Sequence, residues 1–542
     1  MVLPLGLAAL AASAALLWWT GRPVAATAVA GAAGLVGGFL LGIILLRAVL
    51  SPGNGVIGVA RAVVEEAVGT RLPLILLMLV VMGLPALPLV LDPTERLEYR
   101  MQFFLNWGLS GTGCLLAMVT LVLACGSVCG DIDTQRIHMT LVKPIERWQY
   151  LFGKWLGIVL LDLLLVGLAG LGIYAFTQAL RRSPELDRAD RRAVEQEVLA
   201  ARSSTRPQHP QGDDFNKAIA AATARMEKDD PSSFAADPAG ARRRIRSQQV
   251  LEWHTVRPDV VSSYLFTGLG RASRDSQPLQ LRLKPFANNA SIDRAEVRFA
   301  MWLNEKPFPM RDGKHEEFTF TSATFHTIAL PSSVIADDGR LLVTIANRNL
   351  VPPGETEATS ISFSPGKGLE VLARVGGFEA NFLRAMVLAW AKLAMLAAAA
   401  LAAAAWLGFP VAVLTGMMVY VSASARGFLA DAIDIYTGLD AADASFTAMV
   451  RLRASLLLER LNKLELWDAA KTVSSSCADG FLALVPSFGS HDGVTQLATG
   501  RLISWADVGW GLLVLAVAYP LVLLAVGWFL LERRDLVNVS GS

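Results

Sequence analysis

The sequence predicts a polytopic α-helical membrane protein of about eight transmembrane helices, with an inserted extracytoplasmic domain that is first helical and then a β-sandwich. Three observations carry that prediction. The 542 residues are 53% hydrophobic and only 18% charged, a balance that soluble globular chains rarely show. Eight apolar runs approach or exceed the ~20 residues needed to cross ~30 Å of hydrocarbon. Between 178 and 380 the chain turns polar, then settles into short alternating runs separated by turn signals.

The first two runs, the short Leu3–Trp19 and Val24–Leu46, are separated only by Thr-Gly-Arg-Pro. Met1 to Trp19 lacks a basic leader, which favours a membrane hairpin (residues 1–50) over a cleaved signal peptide. Residues 51–178 follow as one block. It opens with Val56–Arg71, an amphipathic stretch expected to lie on the membrane surface or to serve as a helical linker. Three spans follow in this block: Leu72–Leu91, Phe103–Val128 and Trp155–Phe176. After an insertion over 179–382 come two spans within 383–424, Leu383–Ala405 and the short Leu407–Val421. A second extracytoplasmic segment, 425–506, contains an amphipathic helix pattern over Ala444–Ala470. The last span, Val508–Leu531, leads into a tail within 507–542.

Basic residues set the orientation. Arg47, Arg61 and Arg71 lie in one connection, Arg136, Lys143, Arg147 and Lys154 in a second, and Arg533 and Arg534 at the end of the last span. With eight spans all three groups fall on one side, taken as cytoplasmic, and both termini lie there too. The insertion is then extracytoplasmic. Its part 180–255 is rich in Ala, Arg, Asp and Glu and reads as helical. From about 279 to 375 seven short runs are expected to build the β-sandwich: Leu279–Leu283, Glu296–Leu303, Glu317–Phe320, Phe325–Leu330, Arg340–Ile345, Ala358–Phe363 and Leu369–Arg374.

The polar stretch 130–154 is the most informative. It is short, basic and set between two long apolar runs, and it contains Asp131, Asp133, Arg136, Lys143, Pro144, Arg147, Gly153 and Lys154. The two aspartates are expected at a helix start, where carboxylates complement the helix dipole. An ordinary positive-inside loop would also be basic. The run of acidic residues, then Lys143-Pro-x-x-Arg147, then Gly153-Lys154, resembles the coupling segment of ABC-2 type transporter permeases. Arg136-Ile137 stands where that family often has Gly-Thr. Glu532-Arg533-Arg534-Asp535-Leu536 is similar to the family's C-terminal run. Leu484–Phe488, Gly500, Ile503-Ser504 and Gly408–Ala412 look like segments of permeases assigned to multicopper-enzyme and nitrous-oxide-reductase maturation. The resemblance covers roughly 56–176 and 383–536.

That resemblance implies a six-helix permease core behind the N-terminal hairpin, in a bacterial inner membrane. It implies a second permease subunit, identical or paralogous, and a separate cytoplasmic ABC ATPase that carries ATP and magnesium. The chain has no phosphate-binding loop, no Gly-x-Ser-x-Gly and no His-Glu-x-x-His, so no enzyme activity or cofactor is expected of it. The implied function is ATP-driven export, or mechanical signalling to an extracytoplasmic partner. The alternative is a membrane-anchored scaffold whose β-sandwich binds glycan or protein. A net charge of +2 gives no reason to expect nucleic acid.

Ionisable residues inside spans are costly and usually purposeful. Asp162 and Lys392 fall mid-way along antiparallel spans and are expected to pair, as a gate or as a structural lock. Cys125 and Cys129 are one turn apart, a spacing open to Cu(I). Small apolar packing residues are the more economical reading. The four cysteines form neither a disulfide framework nor a zinc spacing. His315 and His326 have no ligand spacing.

Overall fold

The computed structural model describes residues 23–51, 54–70, 97–136, 145–181, 194–208, 213–229, 238–258, 260–270, 279–287, 296–311, 314–349, 359–364, 368–437 and 485–534, with a few isolated positions between. In chain order the first helices are α1 (Pro23–Val49), α2 (Gly55–Thr70), α3 (Leu97–Asp133) and α4 (Arg147–Arg181). A β-rich stretch follows, with α5 (Asp213–Asp229) and α6 (Pro238–Trp253) near its start. The chain returns to helix with α7 (Phe378–Ala404), α8 (Phe409–Thr437), the short α9 (Gly493–Ala498) and α10 (Trp505–Arg533). Contact clustering divides the described chain into a helical unit and a second unit that runs from Ala201 to Gly376.

Among the described residues five helices are long and apolar enough to span a bilayer: α3, α4, α7, α8 over Phe409–Arg426, and α10. The apolar part of α1, Ala33–Val49, is shorter. Five of the eight expected spans are matched by these helices, and Val24–Leu46 falls on α1. Leu3–Trp19 and almost all of Leu72–Leu91 lie outside the described residues, as does Ala444–Ala470. The helices overrun the apolar runs that announced them. Phe103–Val128 is the middle of Leu97–Asp133, and Trp155–Phe176 the middle of Arg147–Arg181. Hydropathy marks the part of a helix that suits lipid. These helices continue beyond it because their polar ends find partners in the protein.

α7 is the hub of the helical unit. Its alanine run, Ala397–Ala405, is buried apart from the half-buried Ala403, because side chains of this size let neighbouring backbones close in. A Cβ on Gly527 of α10 would come 3.0 Å from the Cα of Ala402. The Cys125 and Cys129 thiols of α3 donate to the carbonyls of Ala400 (3.7 Å) and Ala404 (3.9 Å). Two indoles cross-link α4 and α7 reciprocally: Trp155 Nε1 donates to the Ala394 carbonyl and Trp390 Nε1 to the Val159 carbonyl, each at 2.9 Å.

The expected surface helix forms as α2, and its apolar face is taken up by protein. Val59, Ala60, Val63, Val64 and Ala67 are buried, and the first two pack on α4 at two glycines. A Cβ on Gly153 would lie 2.8 Å from the Val56 carbonyl, and one on Gly157 2.6 Å from the Ala60 carbonyl. The opposite face carries the exposed Arg61–Glu65 ion pair, at 3.0 Å.

The second unit holds two main sheets. One has the order β1 (Ala200–Thr205), β14 (Leu369–Gly377), β4 (Leu279–Leu283), β11 (His326–Leu330). The other runs β10 (Phe318–Thr321), β6 (Glu296–Leu303), β12 (Leu341–Asn347), β3 (Val261–Phe266), with β7 (Lys306–Phe308) also paired to β6. The pairing is antiparallel; Leu281 faces Ile328 and Val371, and Val343 faces Tyr264 and Leu303. Alternate residues of both sheets enter one apolar cluster, which contains Leu281, Ile328 and Val371 from the first and Phe266, Phe299 and Val343 from the second. Two stretches read otherwise from sequence are strands. β1 lies inside the part expected to be helical. Val261–Phe266 was not marked, because Val-Ser-Ser-Tyr-Leu-Phe keeps only a half-period of alternation.

Candidate functional site

The end of the bundle that carries Arg147 gathers the residues singled out in the 130–154 stretch. α3 does not end before Asp131. It runs through Asp133 and is closed by Gln135, whose φ of 57° is the left-handed conformation that terminates helices. Asp131 and Asp133 therefore lie in a last turn rather than at a helix start, where the dipole disfavours them. For Asp131 the compensation is a cation. Lys154 Nζ of α4 sits 2.8 Å from its carboxylate, 3.7 Å from Glu66 of α2, and donates to the Ser127 carbonyl at 3.0 Å. Tyr150 donates its hydroxyl to Asp131 at 2.8 Å. Lys154 is 3% exposed. As the eighth residue of α4 it turns inward onto α3 and α2.

Arg147 and Gly153 are likewise engaged inside the bundle. Arg147 Nη1 donates to the carbonyls of Leu531 (2.7 Å) and Glu532 (3.1 Å), capping the C-terminus of α10. Arg534 does the same for α7 through the Ala405 carbonyl, at 3.2 Å. Gly153 is the close-approach point for α2. That leaves Asp133 and Arg136 on the surface, while Lys143 and Pro144 lie outside the described residues. The described part of the 130–154 stretch thus meets α2 and the C-terminal end of α10 at one end of the bundle. α4 finishes and α7 begins at the other end, where Tyr174 stacks on Phe378 with ring centroids 6.4 Å apart.

The expected Asp162–Lys392 pair is not formed. Asp162 is fully buried and accepts a hydrogen bond from Thr120 Oγ1 at 2.9 Å, while its Oδ2 has no partner among the described residues. Lys392 points elsewhere. At ~100° per residue, the α7 face that meets α4 is set by Trp390, Leu393 and Ala397, and Lys392 is rotated off it. Its Nζ lies over the Phe488 ring, 5.5 Å from the centroid. It borders a cavity of about 260 Å³ lined by α3, α4, α7, α8 and the turn before α9. Leu116 and Val166 form part of that wall, and Thr120 and Asp162 sit one helical turn beyond them on the same helices. Asp492, on the same cavity, accepts from the Val494 and Thr495 amides as the N-cap of α9.

Sequence reasoning missed Glu66, Tyr150, Tyr420, Phe488 and Asp492. The first two are remote in sequence from Lys154 or sit in an apolar context. Asp492 is marked only by the Ser-His-Asp-Gly turn. In the second unit, His315 bonds to the Met301 carbonyl, and His326 bonds to Thr321 and Thr324 while stacking on Phe320. No group of three metal-ligating side chains occurs among the described residues.

Residues 109–201 match the family model described as ABC-2 family transporter protein. The matched segment runs from the first third of α3 through α4, so it contains the Asp131–Lys154 cluster and the 134–146 connection. It supports an ABC-2 type permease, a membrane transport component. No curated protein and no solved structure matches the chain.

Proposed function

We propose that this chain is the membrane-spanning subunit of an ABC-2 type transporter, driven by a separate cytoplasmic ATPase that presses on the connection between α3 and α4. The observation that carries the reading is the buried Lys154. Its contacts with Asp131 and Glu66 tie α2, α3 and α4 into one body beside that connection. A displacement of a few ångströms is transmitted only through such a packed element. The Arg147 and Arg534 caps extend the same body to α10 and α7. Two such subunits, identical or paralogous, would pair in a bacterial inner membrane with the basic end cytoplasmic. The β-rich unit would be extracytoplasmic, where it would receive cargo or pass movement to a partner. Maturation of a metalloenzyme is one such use, suggested by the segments around 408–412 and 484–504.

The test is co-purification of an ATPase with the detergent-solubilised native protein, repeated with Arg136→Glu and Lys143→Glu. These two are chosen because Arg147 and Lys154 are needed for the bundle itself. An ATPase retained by wild type and lost from the charge reversals is expected. Its absence from wild type would leave a membrane-anchored binding protein as the reading.

A further inference from the structure

The cavity beside Lys392 is a built site that the transport reading does not use. Its walls are mostly apolar, with Leu109, Leu116, Val166, Ile173 and Met386 among them. One end is polar and aromatic, with Lys392, Asp492, Tyr420 and Ser424 grouped around Phe488. Tyr420 and Phe488 meet edge-on at 6.2 Å. Pockets that hold small molecules have this make-up, apolar walls with a few convergent polar groups.

The two charges at the polar end are not equivalent. Asp492 spends its carboxylate on α9, where Oδ1 accepts from the Val494 and Thr495 amides at 3.2 and 3.3 Å. Lys392 makes no hydrogen bond or ion pair among the described residues; its ammonium lies over the Phe488 ring, with Asp492 near enough to act on it electrostatically. Lys392 is half-buried and borders the cavity, so a bound anion would give its ammonium a charge-assisted hydrogen bond. The group at this end that makes no hydrogen bond among the described residues is therefore the cation. At about 260 Å³ the cavity suits a single small apolar body.

We propose that the cavity binds a small anionic amphiphile, a single short apolar chain or ring bearing one carboxylate or phosphate, with the head on Lys392 and the body between α3, α4 and α7. Lys392 positions the head, Tyr420 and Ser424 supply hydroxyl groups beside it, and Leu109, Val166 and Ile173 line the space for the body. The site deepens the transport reading by giving it a ligand class, yet binding itself is independent of any ATPase.

The test uses the full chain in lipid nanodiscs without nucleotide. A decanoic acid carrying a diazirine is photo-cross-linked, and the labelled peptides are mapped by mass spectrometry. Parallel arms use the decyl phosphate, decanol and decylammonium analogues with the same tag. Labelling by the two anions within 109–116 or 386–393, blocked by excess untagged decanoate, is expected. Decanol and decylammonium should label at least about tenfold less, the loss that follows from removing a charge-assisted hydrogen bond. Lys392→Gln should cut anion labelling to the same degree, and Lys392→Arg should retain it within about threefold. Gly113→Leu provides a second route. Gly113 lines the cavity and a Cβ there meets nothing within 4 Å, so the larger side chain fills the space with Lys392 in place and should abolish labelling. Equal labelling by decanol and decanoate, or undiminished anion labelling of Lys392→Gln or Gly113→Leu, would overturn the proposal. An ATPase that still co-purifies while these arms fail would sink the site and leave the transport reading standing.

Discussion

Replacing Lys154 with methionine keeps the aliphatic stem and removes the amine. Asp131, whose side chain is 15% exposed and 2.8 Å from that amine, is then left in a helix C-terminal turn with only the Tyr150 hydroxyl to serve it. Removing one partner of a buried ion pair costs ~3–5 kcal/mol. The residual access to water puts the expected loss near the lower figure, about 3 kcal/mol. Glu66, at 3.7 Å and 40% exposed, adds under ~1 kcal/mol, as for other solvated pairs. Adding Asp131→Asn to Lys154→Met removes the stranded charge and keeps an acceptor for Tyr150. The double variant should recover roughly 2 kcal/mol of the loss. The assay is SDS-induced unfolding of the full chain in mixed micelles, followed by circular dichroism at helical wavelengths, for the four corners of the cycle. Additivity of the two single variants to within ~0.5 kcal/mol would refute the claim that this pair clamps α3 to α4.

Four further outcomes are expected. Gly157→Ala should weaken α2–α4 packing by ~1–3 kcal/mol, since the new Cβ meets backbone at 2.6 Å; the readout is a disulfide cross-link yield between cysteines placed on the two helices. Asp162→Asn and Lys392→Gln should affect bundle stability independently, the double variant equalling the sum within ~0.5 kcal/mol, because the structure gives them no contact. Asn347→Ala should cost the second unit ~2–3 kcal/mol, because its buried amide donates to the Val256 and Thr359 carbonyls and accepts from Asn349; hydrogen exchange of β3, β6 and β12 in the full chain reads this. Burial pushes the Tyr264 phenol above its ordinary value, so the folded state holds its proton where the unfolded chain releases it. Its contribution is complete below pH ~10 and is lost as pH rises further, and Tyr264→Phe should flatten that alkaline decline in stability of the second unit.

The span-forming helices were legible because apolar length is a local property. Their ends were not. α3 carries on through Gly130-Asp-Ile-Asp only because Lys154 and Tyr150, some twenty residues later, neutralise Asp131. The strands Leu279–Leu283 and Glu296–Leu303 stood out by alternation, whereas Ala200–Thr205 becomes a strand through its place beside β14. At the basic end, charge and spacing pointed to the right stretch and mixed two roles within it. Arg147, Gly153 and Lys154 hold the bundle together; Arg136 stays exposed. Asp162 and Lys392 shared a depth in the sequence, but depth carries no rotation. One residue of offset on α7 turns the lysine into the cavity instead.

The account's central claim is that an ATPase pushes on the connection between α3 and α4. Its most direct measurement places a photo-activatable residue at Arg136 in the native membrane and maps what it captures, with and without ATP. Capture of an ATPase subunit in a yield that changes with nucleotide is the result the account predicts. Capture of lipid alone, with an ATPase present in the same membrane and cross-linked elsewhere on the chain, would contradict it.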